Sequence, residues 1–223
     1  MTAEKDNNNN RKKGNTNIPS FSDEPSFRKQ FPDWSRIYAE MKVEEMPWYL
    51  PELDPDLKEA LDQYRIKSGS FLDLGTGPGT QAIELSKMGF EVTGVDISPD
   101  AITNAQKSKE NVTFVQDDIL NSRIERQFDY IFDRGCFHVI DEDKRLIYIS
   151  QVVKLLADEG ILFLKCFSDK NTFTGFGPHH ISRKLIETLF GIQFTILNIK
   201  DSVYQSTSSH VKPTLFVVMK KKN

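Results

Sequence analysis

Three glycines and a carboxylate in the first third of the chain stand at spacings that suit a small charged ligand. The run Phe71-Leu72-Asp73-Leu74-Gly75-Thr76-Gly77-Pro78-Gly79-Thr80 reads as a short apolar strand that turns through glycines into a helix. Glycine reaches positive φ and carries no Cβ, so the backbone of such a turn can approach a ligand closely. The helix start beyond it offers unsatisfied N–H groups. Any nucleotide could use that much, and two details narrow the choice. The spacing is G-x-G-x-G, whereas the dinucleotide pattern G-x-G-x-x-G has its third glycine one position later. Asp73 stands at the strand end, where a carboxylate repels a pyrophosphate but attracts an ammonium group, directly or through water.

Further carboxylates follow at the ends of the next strands. Val92-Thr93-Gly94-Val95-Asp96-Ile97-Ser98 places Asp96 about 20 residues beyond the loop, the position from which a carboxylate accepts ribose hydroxyls. Its alternative task is to cap the helix that begins at Pro99, which Ser98 could equally do. Ile97 would lie against a base. In Val115-Gln116-Asp117-Asp118-Ile119 one carboxylate can accept an adenine amino group while a backbone N–H meets a ring nitrogen. Asp118, with Ile119 beside it, is preferred to Asp117 for that role, and a solvated acidic turn is the other reading. With Gly75, Thr76, Gly77 and Gly79, these acidic positions favour S-adenosylmethionine over NAD as the bound cofactor.

Methyl transfer from a sulfonium is an in-line displacement, so positioning supplies much of the acceleration. A thiolate or halide acceptor is already nucleophilic, whereas a hydroxyl or amine needs a proton removed. Open α/β sheets bind ligands at the carboxyl ends of their strands, and the fourth strand ends in Asp133-Arg134-Gly135-Cys136-Phe137-His138. Asp133 and His138 are therefore the candidate proton acceptors, Phe137 and His138 candidate walls of an acceptor pocket, and Arg134 joins the donor-binding set. Alternatively, Asp133 and Arg134 simply pair, and the histidine is structural. Gly175-Phe176-Gly177-Pro178-His179-His180 reads as a flexible loop over the same edge, with His179 and Arg183 as acceptor contacts. Adjacent histidine side chains diverge, and no carboxylate or thiol stands at a suitable spacing, so no metal is expected. Trp34 and Trp48 can close over the sulfonium, since an aromatic face attracts positive charge, or pack in the core.

These residues need a scaffold of strands alternating with helices. Helices are expected over 55–66, 80–88, 99–107, 144–156 and 182–189. Strands are expected over 70–74, 91–95, 112–115, 128–132, 160–166, 194–199 and 214–219. Crossovers between the earlier strands imply a parallel sheet. The last two strands lack an intervening helix and should form an antiparallel pair at the edge. Residues 21–53 are aromatic and contain several prolines, as a lid over a pocket would. Residues 1–20, with Asn7 to Asn10 and the basic Arg11, Lys12 and Lys13, hold too few apolar groups to offset the entropy of ordering and read as a disordered tail.

Length limits the chain to one domain over 21–223 and one active site. A hydrophobic share of 38% and a charged share of 27% are ordinary for a soluble enzyme. A net charge of -3 argues against a large polyanionic partner, so no nucleic acid is expected. No apolar run approaches the roughly 18 residues that span a bilayer, so no membrane partner is expected either. Only Cys136 and Cys166 are present and no apolar signal segment follows Met1, which points to buried free thiols in a cytoplasmic compartment. A monomer or homodimer is expected.

Taken together, Asp73 to Gly79, Val95-Asp96-Ile97-Ser98 and Gln116-Asp117-Asp118 resemble the class I S-adenosylmethionine-dependent methyltransferases over about residues 55 to 223. That resemblance implies a Rossmann-like, seven-stranded, mostly parallel α/β sheet with helices on both faces, closed by an antiparallel C-terminal hairpin. A closer likeness is to the thiopurine S-methyltransferase-like branch. It rests on Trp34, Tyr38 and Pro47-Trp48, on Gly177-Pro178-His179-His180-Ile181-Ser182 before a helix ending in Leu189-Phe190, and on Val203-Tyr204-Gln205. The branch implies a small-molecule acceptor with sulfur favoured, and it brings Tyr204 to the acceptor side. Where members of the branch continue Pro-Trp with an acidic residue and a glycine, this chain has Tyr49, Leu50 and Pro51. Methylation of RNA or protein, or noncatalytic binding of the cofactor, are the competing functions.

Overall fold

The computed structural model describes residues 33–172, 177–206 and 212–222. The tail over 1–20, the first part of the expected lid and the Gly175-Phe176 end of the expected acceptor loop lie outside them. The described residues form one seven-stranded sheet of order β3-β2-β1-β4-β5-β7-β6. Its strands are β1 (Ser70–Leu74), β2 (Glu91–Asp96), β3 (Val112–Gln116), β4 (Phe128–Arg134), β5 (Leu156–Phe167), β6 (Phe194–Val203) and β7 (Pro213–Lys221). Five neighbouring strands run parallel, and β7 pairs antiparallel with both β5 and β6. The late pair is thus a hairpin folded inward, its second strand inserted between the first and the rest of the sheet.

Strand side chains alternate between two buried faces, as a sheet covered on both sides requires. Leu72, Ile131, Leu162, Leu164 and Val217 meet helices α5 (Arg145–Leu155) and α6 (Arg183–Phe190) on one face. Phe71, Phe132, Phe163, Phe216 and Val218 meet α2 (Pro55–Gln63) and α3 (Thr80–Lys87) on the other. Their helices start where the chain supplies caps: the Asp54 carboxylate accepts from the Asp56 N–H with Pro55 at the first position, and the Ser182 hydroxyl accepts from Leu185 N–H. Between β3 and β4 the crossover contains only a single 3-10 turn at Ile119–Asn121, capped by Asp118.

One helix was not expected. Trp34–Glu40 forms α1, capped by the Asp33 carboxylate, and packs on α4 (Pro99–Ala105). Tyr38, Met46 and Ala101 form a third small buried cluster there, with Trp34 and Trp48 against it. The N-terminal aromatic segment therefore sits across the carboxyl end of the sheet, above the glycine turn.

Candidate active site

At the end of β1 the chain turns through Gly75, Gly77 and Gly79 at φ of 70°, 54° and 82°. All three lie in the left-handed region that residues with a Cβ rarely adopt. Space is equally restrictive: a Cβ on Gly77 would lie 2.7 Å from the Tyr38 hydroxyl, and one on Gly79 would lie 2.7 Å from the Phe114 ring. The turn is anchored from both sides. Gly77 N–H donates to Asp96 Oδ2 at 2.9 Å, and the Thr76 hydroxyl donates to Asp73 Oδ2 at 2.5 Å.

The two carboxylates below the turn are buried, Asp73 to 2% and Asp96 to 8% exposure. Burial pushes the Asp73 carboxyl up to about 6, against the opposing pull of the Thr76 hydroxyl, the Ala82 N–H and the Arg134 charge. Burial likewise raises Asp96, against the N–H groups of Ser98, Gly77 and Ile97. Desolvated anions of this kind favour a cation nearby and oppose a pyrophosphate. The helix-cap alternative for Asp96 falls away, because Ser98 caps α4 by accepting from Ala101 N–H while Asp96 Oδ1 accepts from Ser98 N–H. Carboxylate oxygens have lone pairs beyond those two bonds with which to accept hydroxyls.

Beside them lies a cleft of about 250 Å³ lined by Ile97, Gln116, Asp117, Asp118, Asn121 and Arg123. Ile97, 53% exposed, leaves an apolar side chain open at its edge. The two adjacent aspartates divide their tasks. Asp117 is buried and accepts from the Ser122 hydroxyl and Arg123 N–H. Asp118 is half-buried, uses Oδ1 to accept from Leu120 N–H at 2.9 Å, and faces the cleft beside half-buried Ile119.

Over the glycine turn, Trp34 and Tyr38 each meet Trp48 edge-on at 5.9 Å between ring centroids. Tyr38, within the aromatic segment expected as a lid, holds its hydroxyl above Gly77. Burial and the neighbouring Asp96 charge keep that hydroxyl well above its usual pKa and hence neutral. Among the described residues the buried Trp48 indole N–H makes no well-formed hydrogen bond, with the Tyr38 hydroxyl beside it as a weak acceptor.

The acceptor corner differs from expectation at several residues. Asp133 does not pair with Arg134 and is not open to a substrate. Its fully buried carboxylate accepts from Gly135, Cys136 and Phe137 N–H and from the Tyr148 hydroxyl, which saturates it. Burial pushes its carboxyl up to about 6, but the group shapes the turn after β4 and has no free lone pair for a substrate proton. His138 is buried, stacks on Phe167 at 4.5 Å, and accepts Phe167 N–H on Nδ1 at 3.0 Å. Burial, then the nearby cationic groups, depress it to about 3. It is a neutral imidazole whose remaining nitrogen, Nε2, carries the hydrogen and can donate but not accept.

Phe137 is no pocket wall: it is fully buried in the core against Tyr148 at 5.1 Å and Phe190 at 5.2 Å. Arg183 is likewise committed, donating to Ile199 O at 2.6 Å and pairing with Asp201 at 3.0 Å on β6. His179 does reach the corner, its N–H donating to His138 O at 2.7 Å. Tyr204 lies there too, donating its hydroxyl to Arg134 O at 2.9 Å, with the Arg134 guanidinium 4.2 Å above its ring. A Cβ on Gly135 would meet both the Tyr204 hydroxyl and His138 Nε2, so the glycine lets these side chains converge. Cys136 packs at the Gly75 position, and burial with the charges of Asp133, Asp96 and Asp118 keeps its thiol protonated. Between Gly135 and Phe137 in the sequence, it gives no sign of that placement.

A mostly parallel sheet in this order, with a bare glycine turn and two desolvated carboxylates at its carboxyl end, suits a cationic nucleoside ligand. A methyltransferase-domain family profile matches residues 71–160. An uncharacterised methyltransferase of Schizosaccharomyces pombe is 33% identical over 105 residues, covering 45% of this chain and 72% of the relative. Thiocyanate methyltransferase 1 of Arabidopsis thaliana is 25% identical over 169 residues, covering 72% of this chain and 73% of the relative. A crystal structure of a SAM-dependent methyltransferase from Anabaena variabilis shares the fold with a TM-score of 0.70 at 21% identity, over 85% of this chain and 93% of that one. The chain belongs to the class I S-adenosylmethionine-dependent methyltransferases. When bound, S-adenosylmethionine supplies an electrophilic methyl group on a sulfonium, and the acidic, Cβ-free cradle around Asp73, Gly77 and Asp96 fits its cationic character.

Proposed function

We propose that this methyltransferase acts on a small molecule whose attacking atom needs no proton removed on the enzyme, foremost a thiol or another sulfur nucleophile. The observation that carries this reading is the state of the two candidate bases: Asp133 is saturated by four donors, and His138 is neutral with Nδ1 occupied. A thiolate reaches useful concentrations near neutrality without help, whereas a phenol or amine does not. The likeness to a thiocyanate methyltransferase, and the gathering of Trp34, Tyr38 and Trp48 into one cluster, support membership of the thiopurine S-methyltransferase-like branch.

In this reading Asp73 receives the donor's ammonium, Asp96 its ribose hydroxyls and Asp118 its adenine amino group, with Ile97 and Ile119 against the base. Gly75, Thr76, Gly77 and Gly79 bring backbone to the ligand, and Trp34, Tyr38 and Trp48 close over it as a lid. Tyr204, His138 and His179 border the acceptor. The two free thiols agree with a cytoplasmic enzyme, acting as a monomer or homodimer. A screen of thiols, thiocyanate, halides, hydroxylated aromatics and amines for S-adenosylhomocysteine release tests the acceptor class. Turnover is expected with sulfur nucleophiles or halides, and efficient methylation of an amine or phenol alone would overturn it.

A further inference from the structure

Behind the lid lies a buried cluster of charges that takes up Arg134 as well: all three of its guanidinium nitrogens are spent on protein groups, so it is not the donor contact expected of it. Lys165, on β5, is fully buried. Its ammonium meets Asp54 Oδ2 at 2.8 Å, Asp56 Oδ2 at 2.7 Å and Gln205 Oε1 at 2.5 Å. Arg134 binds two of the same residues from the end of β4: Nε donates to Asp54 Oδ2 at 2.8 Å, and Nη2 donates to the Gln205 carbonyl. Its third nitrogen, Nη1, donates to the carbonyl of Trp48 at 2.8 Å.

The cluster therefore ends on the lid. Gln81, on the helix that follows the glycine turn, fastens the same strap, its amide donating to Leu50 O and Glu52 O and its oxygen accepting from Asp54 N–H. Ions moved out of water seldom repay their desolvation in stability, and an apolar replacement of like volume often serves as well. What such a cluster supplies is registry: it fixes which groups face each other. Here it fixes the strap behind Trp48 against the ends of β4 and β5.

We propose that Lys165 is a positioning residue which, through Asp54 and Gln205, holds Arg134 where it clasps the Trp48 carbonyl and keeps the lid shut over the glycine turn. This rests on the reading of the Trp34–Trp48 cluster as a lid. Without the lysine, Asp56 keeps Lys200 at 2.9 Å and the Ser202 hydroxyl, but Asp54 is left to the guanidinium alone, and Arg134 turns toward it and releases the strap.

The chain's two tryptophans, Trp34 and Trp48, both sit in this cluster, so intrinsic fluorescence reads the lid directly. In the ligand-free, folded Lys165→Met protein the emission is expected to shift red and acrylamide quenching to rise about twofold. The Kd for S-adenosylhomocysteine is expected to rise about tenfold, while Lys165→Arg restores most of both. Should Lys165→Met fail to fold, Arg134→Lys keeps a cation beside Asp54 but cannot bridge Trp48 and Gln205, and the same red shift is expected. Wild-type quenching and wild-type Kd in a folded Lys165→Met or Arg134→Lys protein would overturn the proposal. A wild-type protein whose tryptophans are freely quenched, with or without S-adenosylhomocysteine, would instead overturn the lid itself.

Discussion

Replacing Asp73 by asparagine separates what burial does to this carboxylate from what a cationic ligand does to it. Asparagine keeps the shape, and the Thr76 hydroxyl that donates to Asp73 Oδ2 can rotate to accept instead. In the ligand-free protein burial holds the Asp73 carboxyl at about 6. Only the ionised form attracts the donor's ammonium. Apparent affinity therefore scales with the ionised fraction, and between pH 7.5 and pH 5 it should fall roughly tenfold. Titration calorimetry with S-adenosylhomocysteine at both pH values measures this. Asp96 is also raised by burial and weakens binding in acid as well, but it is present in both proteins, so the difference between their slopes belongs to Asp73. The variant should bind about 10- to 100-fold more weakly at pH 7.5, as expected for a lost charge-assisted bond worth roughly 1.5–3 kcal/mol. Its slope should be the shallower by about tenfold.

Stability should move the other way. A carboxyl whose pKa is raised on folding contributes stability that is present below its unfolded value near 3.8 and lost as pH rises through about 6. At pH 7.5 the ligand-free wild type thus carries a penalty of up to about 3 kcal/mol that asparagine does not. The variant's Tm should equal or exceed that of the wild type. A variant with unchanged pH slope, or one both weaker in binding and much less stable, would refute the argument that a desolvated carboxylate selects the cation.

Gly79→Ala, strained at φ +82° and 2.7 Å from the Phe114 ring, should lose about 1–3 kcal/mol in thermal denaturation and bind the donor poorly. Phe137→Ala should cost about 3–5 kcal/mol of stability, read in chemical denaturation, yet leave the acceptor KM unchanged in the folded protein. A rise in that KM would return Phe137 to the pocket. With His138 held to about 3, kcat with thiocyanate, an acceptor that does not itself titrate here, should show no ascending limb from the histidine between pH 6 and 7.5, and His138→Gln should alter its magnitude but not its shape.

Much of this architecture was legible because it depends on local pattern. Both-face burial makes each central strand a largely apolar run, so β1 and β4 are placed to within two residues and β5 all but its first four, and the glycine turn and Asp96 follow from their places at strand ends. The remainder depends on contacts distant in sequence. Lys165 sits within Leu162-Phe163-Leu164-Lys165-Cys166, where nothing announces a carboxylate partner 111 positions away. Trp34–Glu40 is too short to show a periodic apolar stripe, so α1 passed unnoticed. Phe137 was read outward because it follows a strand end. The 3-10 turn at Phe137–Val139 rotates it into the core, and Asp133 organises that turn. The same turn is why a carboxylate that looked available to substrate is spent on backbone.

The inward-folded hairpin has a consequence for how the chain acquires its shape. Because β7 lies between β5 and β6, β6 has no neighbour to bond until the residues after it have emerged from the ribosome. Until then β5 keeps a bare, strongly apolar edge, which is an invitation to association with other chains. Completion of the sheet is deferred to residues 213–221, so a premature stop before them would remove an interior strand and leave a protein prone to aggregate, whereas trimming an outer strand would merely have shortened it.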